Sequence, residues 1–356
     1  MPGVEVRLLK GAESEQGARS EETGKSDERE KRVWCLPRTG ASARALGGLI
    51  RRNAYVAEQL SSFPFVAREI RRWKPDVVFY SDANLGFQLY HWRRQIGVPF
   101  QLLFSNGGPC RPPFIRTDFV HQVAPFYLEE ARQAGEPPEK HFLAPYGINV
   151  PAAPVFDPAT QRILRLRLGL PPEQKIILSV GWISREHKRM DYLIEEMARL
   201  PEPRPFLQLL GAMDANSKEV VELGAKALGV ENFSVCSVPY EQVGDYYQAA
   251  DGFVLASLKE GFGRVYLEAL MHGLPVIAHR HPVMEYVLGG EGTLGDLSRT
   301  GNLAAILTET LKCQNAEALM QKRWASVRDR FSWPVLAPAY QKMFETVAAR
   351  SLPVLG

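Results

Sequence analysis

Short apolar runs alternate along this chain with longer stretches in which apolar positions recur every three to four residues, the pattern of buried parallel strands covered by amphipathic helices. In the first half, Val4–Leu9, Asp76–Ser81 and Phe100–Phe104 read as strands. A helical region runs from Ala43 to Trp73 with a break expected at Pro64, and a second helix lies near Asn84–Ile96. The apolar runs Phe119–Ala124 and His141–Pro145 flank a helical Tyr127–Ala134. Between the first strand and the first helix, Gly11–Lys31 is polar and rich in charge and reads as a loop.

The alternation is clearer in the second half. Strands are expected at Lys175–Val180, Phe206–Leu210, Phe233–Val238, Gly252–Ala256 and Pro275–Ala278. Helices are expected at Met190–Leu200, Lys218–Leu228, Tyr240–Ala250 and Arg264–His272, which makes this half a doubly wound sheet. Between the halves, Pro151, Pro154 and Pro158 disfavour regular structure and mark a linker. The expected organisation is a first domain over 1–150, a linker over 151–160, a second domain over 161–332 and a closing helix over 333–356 that crosses back to the first.

Composition narrows the class without changing that picture. With 356 residues, 45% apolar and 23% charged, the chain suits two globular α/β domains. No run of about 18 uncharged apolar residues occurs, and the first residues lack the apolar core of a signal peptide, so a cytoplasmic location is expected. Cys35, Cys110, Cys236 and Cys313 are too scattered for a zinc site or a disulfide framework. A net charge of +3 gives no argument for nucleic acid as a partner. The charge is uneven, however. Lys31–Pro75 holds ten basic residues (Lys31, Arg32, Arg38, Arg44, Arg51, Arg52, Arg68, Arg71, Arg72 and Lys74) against Glu58 and Glu69. They form either a solvated helix face or a patch for an anionic membrane or acceptor.

In a doubly wound sheet, ligands bind where the strands end, so the turns after each strand hold the candidate chemistry. The turn after Lys175–Val180 sets Arg185 and Lys188 between a strand end and a helix start, where two cations and free amides suit a diphosphate. The turn after Gly252–Ala256 carries Glu260, then Gly261, Phe262 and Gly263, then Glu268 within the next helix. Its glycines allow close backbone approach, and the two carboxylates suit sugar and ribose hydroxyls, the alternative being surface carboxylates with a capping role. His272, His279 and His281 lie near one another in sequence, but no carboxylate completes a metal-ligand spacing.

These elements occur in an order that resembles the C-terminal domain of glycosyltransferase family 4. The resemblance covers Ile176–Leu303: Gly181 with Arg185 and Lys188, then Ala250 and Asp251 before Phe253–Ser257, then Glu260 to Glu268 around Gly-Phe-Gly, and the run from Glu268 to Val276. Phe331, Ser332 and Trp333 with the helix after them resemble the family's closing segment. The resemblance implies an α/β GT-B fold, two Rossmann-like doubly wound domains facing a cleft. It also implies a retaining, nucleotide-sugar-dependent hexosyltransferase.

By the same resemblance Arg185 and Lys188 neutralise the donor diphosphate, Glu260 contacts the donor sugar, Glu268 contacts the ribose, and Tyr240 lies by the base. Gly261, Phe262, Gly263, Arg264 and Val265 complete the donor site. In the first domain, Tyr146-Gly147-Ile148-Asn149 is similar to the family's Asn-Gly-x-Asp, and Ser105-Asn106-Gly107-Gly108 stands where many relatives carry a histidine. Asn106, Gly147 and His121 are thus the acceptor-side candidates, His121 in part of the missing histidine's role. Relatives open with a strand and a Gly-rich loop ahead of a segment like Gly3–Leu8, which here opens the chain, so that strand and loop are expected to be missing or replaced by Gly11–Lys31.

No cofactor is expected, and no metal, since Asp-x-Asp is absent. The expected partners are a nucleotide-sugar donor, a lipid-linked, polysaccharide or small-molecule acceptor, and a peripheral contact with the inner face of the membrane. Other readings stay open: a GT-B epimerase or phosphorylase, or a non-catalytic binding protein on an impaired transferase fold. A dinucleotide oxidoreductase is disfavoured because no Gly-x-Gly-x-x-Gly follows a strand.

Overall fold

The computed structural model describes residues 5–11, 30–33, 35, 41–49, 54–108, 110–153, 157–312 and 316–350. The chain divides into two compact units, one formed by 1–145 with 337–356 and the other by 146–336. The first unit contains β1 (Leu8–Gly11), β2 (Glu30–Val33), α1 (Ala41–Leu49), α2 (Ala54–Trp73), β3 (Val77–Tyr80), α3 (Ala83–Ile96), β4 (Gln101–Asn106), β5 (Phe119–Gln122), α4 (Pro125–Gln133) and β6 (His141–Leu143). The second contains α5 (Pro158–Arg167), β7 (Ile176–Val180), α6 (Met190–Ala198), β8 (Phe206–Leu210), α7 (Ser217–Leu228), β9 (Phe233–Cys236), α8 (Tyr240–Ala249) and β10 (Gly252–Leu255). It continues through α9 (Arg264–Met271), β11 (Val276–His279), α10 (Pro282–Leu288), β12 (Thr293–Gly295), α11 (Asn302–Lys312) and α12 (Glu317–Phe331). The last helix, α13 (Trp333–Ala348), begins in the second unit and ends in the first.

In the first unit β3, β4, β5 and β6 form a parallel sheet in that order, while β1 and β2 pair separately, also in parallel. One face of the four-stranded sheet, with Tyr80, Leu102, Phe104 and Val120, packs against Val66, Ala67 and Ile70 of α2 and Leu89 and Ile96 of α3. On the other face Phe79 and His121 meet Phe344 and Tyr340 of α13. The break expected at Pro64 does not occur, because α2 runs through it and is held by these core contacts beyond the proline. A single lost helical hydrogen bond is outweighed there by burial of Val66, Ala67 and Ile70.

Several sequence expectations fall outside the described residues: most of the Gly11–Lys31 loop, Cys313, the linker's Pro154 and, among the basic residues, Arg38, Arg51 and Arg52. Glu30 and Lys31, at the end of that loop, belong to β2. Pro158, also placed in the linker, instead opens α5. Proline is tolerated at a first helical position, and the Asp157 carboxylate caps the helix by accepting from the amides of Ala159 and Thr160.

The second unit's sheet is wholly parallel, in the order β12-β11-β10-β7-β8-β9. Successive strands therefore run outward from β7 in one direction and from β10 in the other, and the order reverses between these two. β7 and β8 are each followed by a glycine, and the two pass very closely: a Cβ on Gly211 would lie 1.8 Å from the Gly181 carbonyl oxygen.

At the opposite end of the same strands, Arg165 is buried and spans several loops. Its guanidinium donates to the carbonyls of Ala249, Pro172 and Gln174 and forms a 2.6 Å ion pair with Asp251. Asp251 also accepts from the Ile176 amide and from Lys175. Removing one partner of such a pair leaves a buried charge uncompensated, so Asp251→Ala should lower unfolding stability by about 3–5 kcal/mol. Asp251→Asn, which keeps an acceptor, should lose less. Urea unfolding of the two variants measures this, and equal losses would show that the charge is not what matters.

Candidate nucleotide-sugar site

Two loops meet at the strand-order reversal, Gly181–Arg189 after β7 and Ala256–Gly263 after β10. The first is closed by its own backbone, with the Met190 amide donating to the Ser184 carbonyl and the Ile183 amide to Ala212. Met190 is fully buried at the start of α6, which fixes the residues just before it. In the second loop the Phe262 ring is buried against Tyr146 and Phe331, and Gly263 adopts φ 75°, a left-handed turn that starts α9. A side chain at Gly263 would also strike the Tyr266 ring at 2.5 Å. Sequence reasoning placed Phe262 among the ligand contacts. Its ring is too deeply buried to meet a ligand and anchors the loop from beneath, which leaves its backbone as the part that can take that role.

The fixed loops bring Lys188 and Glu260 together. Lys188 Nζ donates to Glu260 Oε1 at 2.6 Å, and only 18% of the lysine side chain and 9% of the glutamate side chain are exposed. Arg185, expected to converge with Lys188, has other partners. Its half-exposed guanidinium bonds Asp191 in the first turn of α6 and Glu219 in the first turn of α7. Helix starts favour carboxylates, and these two hold the arginine.

A second cluster surrounds Glu268 on α9. Its carboxylate accepts from Tyr247 at 3.0 Å and from the hydroxyl of the largely exposed Tyr240, both on α8. Tyr247 is buried, stacks on His272 at 5.3 Å and was not singled out in the sequence. Its position seven residues after Tyr240, two helical turns along one face, was the available signal. Burial pushes the Glu268 carboxyl above the usual range, opposed by Tyr247, Arg264 and Tyr240. Nearby, Arg264 is exposed, Gly261 and Val265 are half-buried, and the Val265 carbonyl accepts from Tyr247 at 3.4 Å. Ser257, at the exit of β10, has a buried hydroxyl without a hydrogen-bond partner among the described residues.

The acceptor-side candidates are differently placed. His121 has no exposed surface; its Nε2 lies 2.6 Å from the Ala144 carbonyl and its Nδ1 3.0 Å from Ser105 Oγ. The carbonyl requires a proton on Nε2, so Nδ1 accepts from the serine, and burial lowers the pKa to about 4. His121 is therefore corrected to a neutral core histidine. Asn106 is also buried, donating to the Cys110 carbonyl and to Gln122 while accepting from the Gly108 amide, so it shapes the loop after β4. Gly147 is buried against Trp333, whose ring lies 2.6 Å from where a Cβ would stand. His272, His279 and His281 each engage backbone through Nδ1, at Glu268, Leu297 and Val283 respectively. Among the described residues no three His, Cys, Asp or Glu side chains are grouped to hold a metal ion.

Because burial raises the pKa of Glu268, the folded state favours its protonated form. That stabilisation is complete below the usual carboxylate range and is lost as pH rises through the elevated value. At neutral pH the wild type carries the cost of a half-buried carboxylate. Glu268→Gln should therefore melt at or above the wild-type temperature at about pH 7, with the difference closing towards about pH 4. Thermal melts across that range check the sign; a variant that melts lower at neutral pH would mean the tyrosine bonds outweigh burial.

Residues 160–325 match the family described as glycosyl transferases group 1. D-inositol 3-phosphate glycosyltransferase of Thermobispora bispora is 30% identical over 259 residues, covering 67% of this chain and 59% of that protein. Mannosylfructose-phosphate synthase of Agrobacterium fabrum is 29% identical over 216 residues, covering 57% of this chain and 46% of that protein. The chain thus spans about half to three fifths of these relatives' lengths. Among solved structures, sucrose-phosphate synthase from Thermosynechococcus elongatus superposes with a TM-score of 0.72 at 21% identity, covering 91% of this chain and 84% of that one. Anabaena HepE, solved with UDP-glucose, superposes with a TM-score of 0.69 at 18% identity, covering 90% of this chain and 86% of that one. The fold is the α/β GT-B fold that the sequence resemblance implies. By its sequence matches, the chain belongs to the group 1 glycosyltransferases.

Proposed function

We propose that this protein is a metal-independent, retaining hexosyltransferase that takes a sugar from a nucleotide diphosphate and places it on an acceptor hydroxyl. One observation carries the reading: Lys188 and Glu260 face each other, largely withdrawn from water, where the strand order reverses. An ion pair there is a poor source of net stability, since desolvation offsets most of the attraction. It is well suited to a ligand that brings its own anion to the lysine and its own hydroxyls to the carboxylate. The buried unpaired hydroxyl of Ser257, on the second of these loops, supports the same view.

In the proposed reaction the bond from the sugar C1 to the diphosphate oxygen breaks and a bond from C1 to the acceptor oxygen forms, with the acceptor proton released. Negative charge grows on the departing diphosphate. Lys188 and the amides of the first turn of α9 answer that charge, Glu260 holds sugar hydroxyls, and Glu268 with Tyr240 holds the ribose. Arg185 joins Lys188 on exchanging its carboxylate partners for phosphate. UDP-sugars are the first donors to test, because HepE was solved with UDP-glucose. Phosphorylated polyols and sugars are natural first acceptors, given the names of the two curated relatives.

The assay is release of nucleoside diphosphate from a panel of UDP-, GDP- and ADP-sugars, with and without acceptors and in excess EDTA. Activity should persist in EDTA, and the product should keep the donor's anomeric configuration. Lys188→Ala should lower kcat/KM by about one to three orders of magnitude while remaining folded, on the scale of losing one preorganised donor. No turnover of any donor, or an unchanged rate in the folded variant, refutes the assignment.

A peripheral membrane contact is also proposed, on the first unit. Arg44, Arg68, Arg71, Arg72 and Lys74 are exposed on or just after α1 and α2, while Phe87, Tyr90 and Trp92 are exposed on α3, which packs against α2. Exposed cations and exposed aromatic rings on neighbouring helices suit an anionic lipid interface. No helix of the described residues is long and apolar enough to cross a membrane. Cosedimentation with anionic vesicles should fall steeply as salt rises past the range where the Debye length is about 10 Å, and neutral vesicles should bind little. Failure to bind anionic vesicles at low salt removes this contact.

A further inference from the structure

Among the described residues only Lys74 and Arg189 adopt a left-handed backbone without being glycine. Arg189, at φ 50° and ψ 46°, is the residue that caps α6, a position where its side chain offers no acceptor to the helix amides. An L side chain disfavours this conformation, which persists only where its surroundings hold it. Here the guanidinium does so. One nitrogen donates to the Leu297 carbonyl at 2.6 Å and to the Ala256 carbonyl at 3.3 Å, and the group lies 4.2 Å from the centre of the Tyr192 ring. Tyr192 in turn donates to the Arg299 carbonyl at 2.9 Å, and Leu297 is fully buried with its amide bonded to His279.

These contacts join three strand exits: the loop after β7, Ala256 just after β10, and Leu297 just after β12. Lys188, the residue immediately before, reaches Glu260 within the same loop that Arg189 holds at its base. We propose that Arg189 is a positioning residue for the donor site, fixing the Ala256–Gly263 loop so that Lys188 and Glu260 stay in register. This rests on the proposed donor-site reading and adds a residue that touches neither sugar nor phosphate in it.

Arg189→Gly separates backbone from side chain, because glycine adopts the left-handed conformation freely while the guanidinium is lost. The variant should keep a wild-type melting temperature. Amide hydrogen exchange should quicken in peptides covering 256–263 and 296–300 and stay unchanged in α12. Against a donor turned over by the wild type, kcat should fall by about tenfold or more with KM within about twofold, since the lysine answers charge that develops during reaction. Millimolar guanidinium should restore part of kcat in Arg189→Gly but none in Lys188→Ala. Unchanged exchange in the two loop peptides overturns the proposal whether or not a donor is found. A wild type that turns over no donor sinks the proposed activity instead, with exchange still deciding the role of Arg189.

Discussion

A parallel sheet whose strands run outward in both directions leaves one place where neighbouring loops must part, and in the second unit that place lies between β7 and β10. Both ends of this strand pair are held by opposite charges. At the amino end Arg165 and Asp251 are locked by backbone bonds, with Asp251 accepting the first amide of β7. At the carboxyl end Lys188 and Glu260 meet at 2.6 Å. The first pair has its hydrogen-bonding capacity taken up by the protein. In the proposed donor-site reading, the second pair is assigned to a ligand and the first is left to structure.

The cluster on α8 and α9 follows the same logic at lower charge. Glu268 lies among Tyr240, Tyr247 and His272, and burial makes its carboxylate uncomfortable at neutral pH. A protein selected only for stability has no reason to keep an acid there. In the proposed donor reading, hydroxyls supplied by a ligand add bonds to the ionised form.

Strands of the second unit were legible because a strand buried on both faces is a continuous apolar run, and Phe206–Leu210 shows this in its purest form. β12 was missed for the opposite reason: Thr293–Gly295 is three residues long, with an exposed threonine and two half-buried residues. Lys188, Glu260 and Glu268 stand out as candidates through their order along the chain. What the sequence hid was partner choice. Arg185 has two carboxylates within reach that lie six and thirty-four residues away. Phe262 and Arg264 stand two apart yet face core and solvent, and no spacing rule separates them in a loop. Arg189 was invisible because a backbone angle is not written in composition, and an arginine in a left-handed turn is contrary to propensity.

In the first unit several polar groups near the strand ends bond one another, although His141 Nε2 and Glu136 Oε2 are buried without a hydrogen-bond partner among the described residues. Asn106 bonds Gln122, Gln122 bonds His141, and His141 lies 3.5 Å from Glu136, which also pairs with Lys140 and accepts the Phe114 amide. His121, one residue before Gln122, is closed off by Ser105 and Ala144. With a pKa near 4 it would be a weak base at neutral pH even if it were reached. This chain of bonds ties the loop after β4 to β5 and β6 and fixes its path. Outside this network, Arg111, Ile115 and Arg116 of that same loop are exposed, and they differ in kind from a histidine that takes a proton.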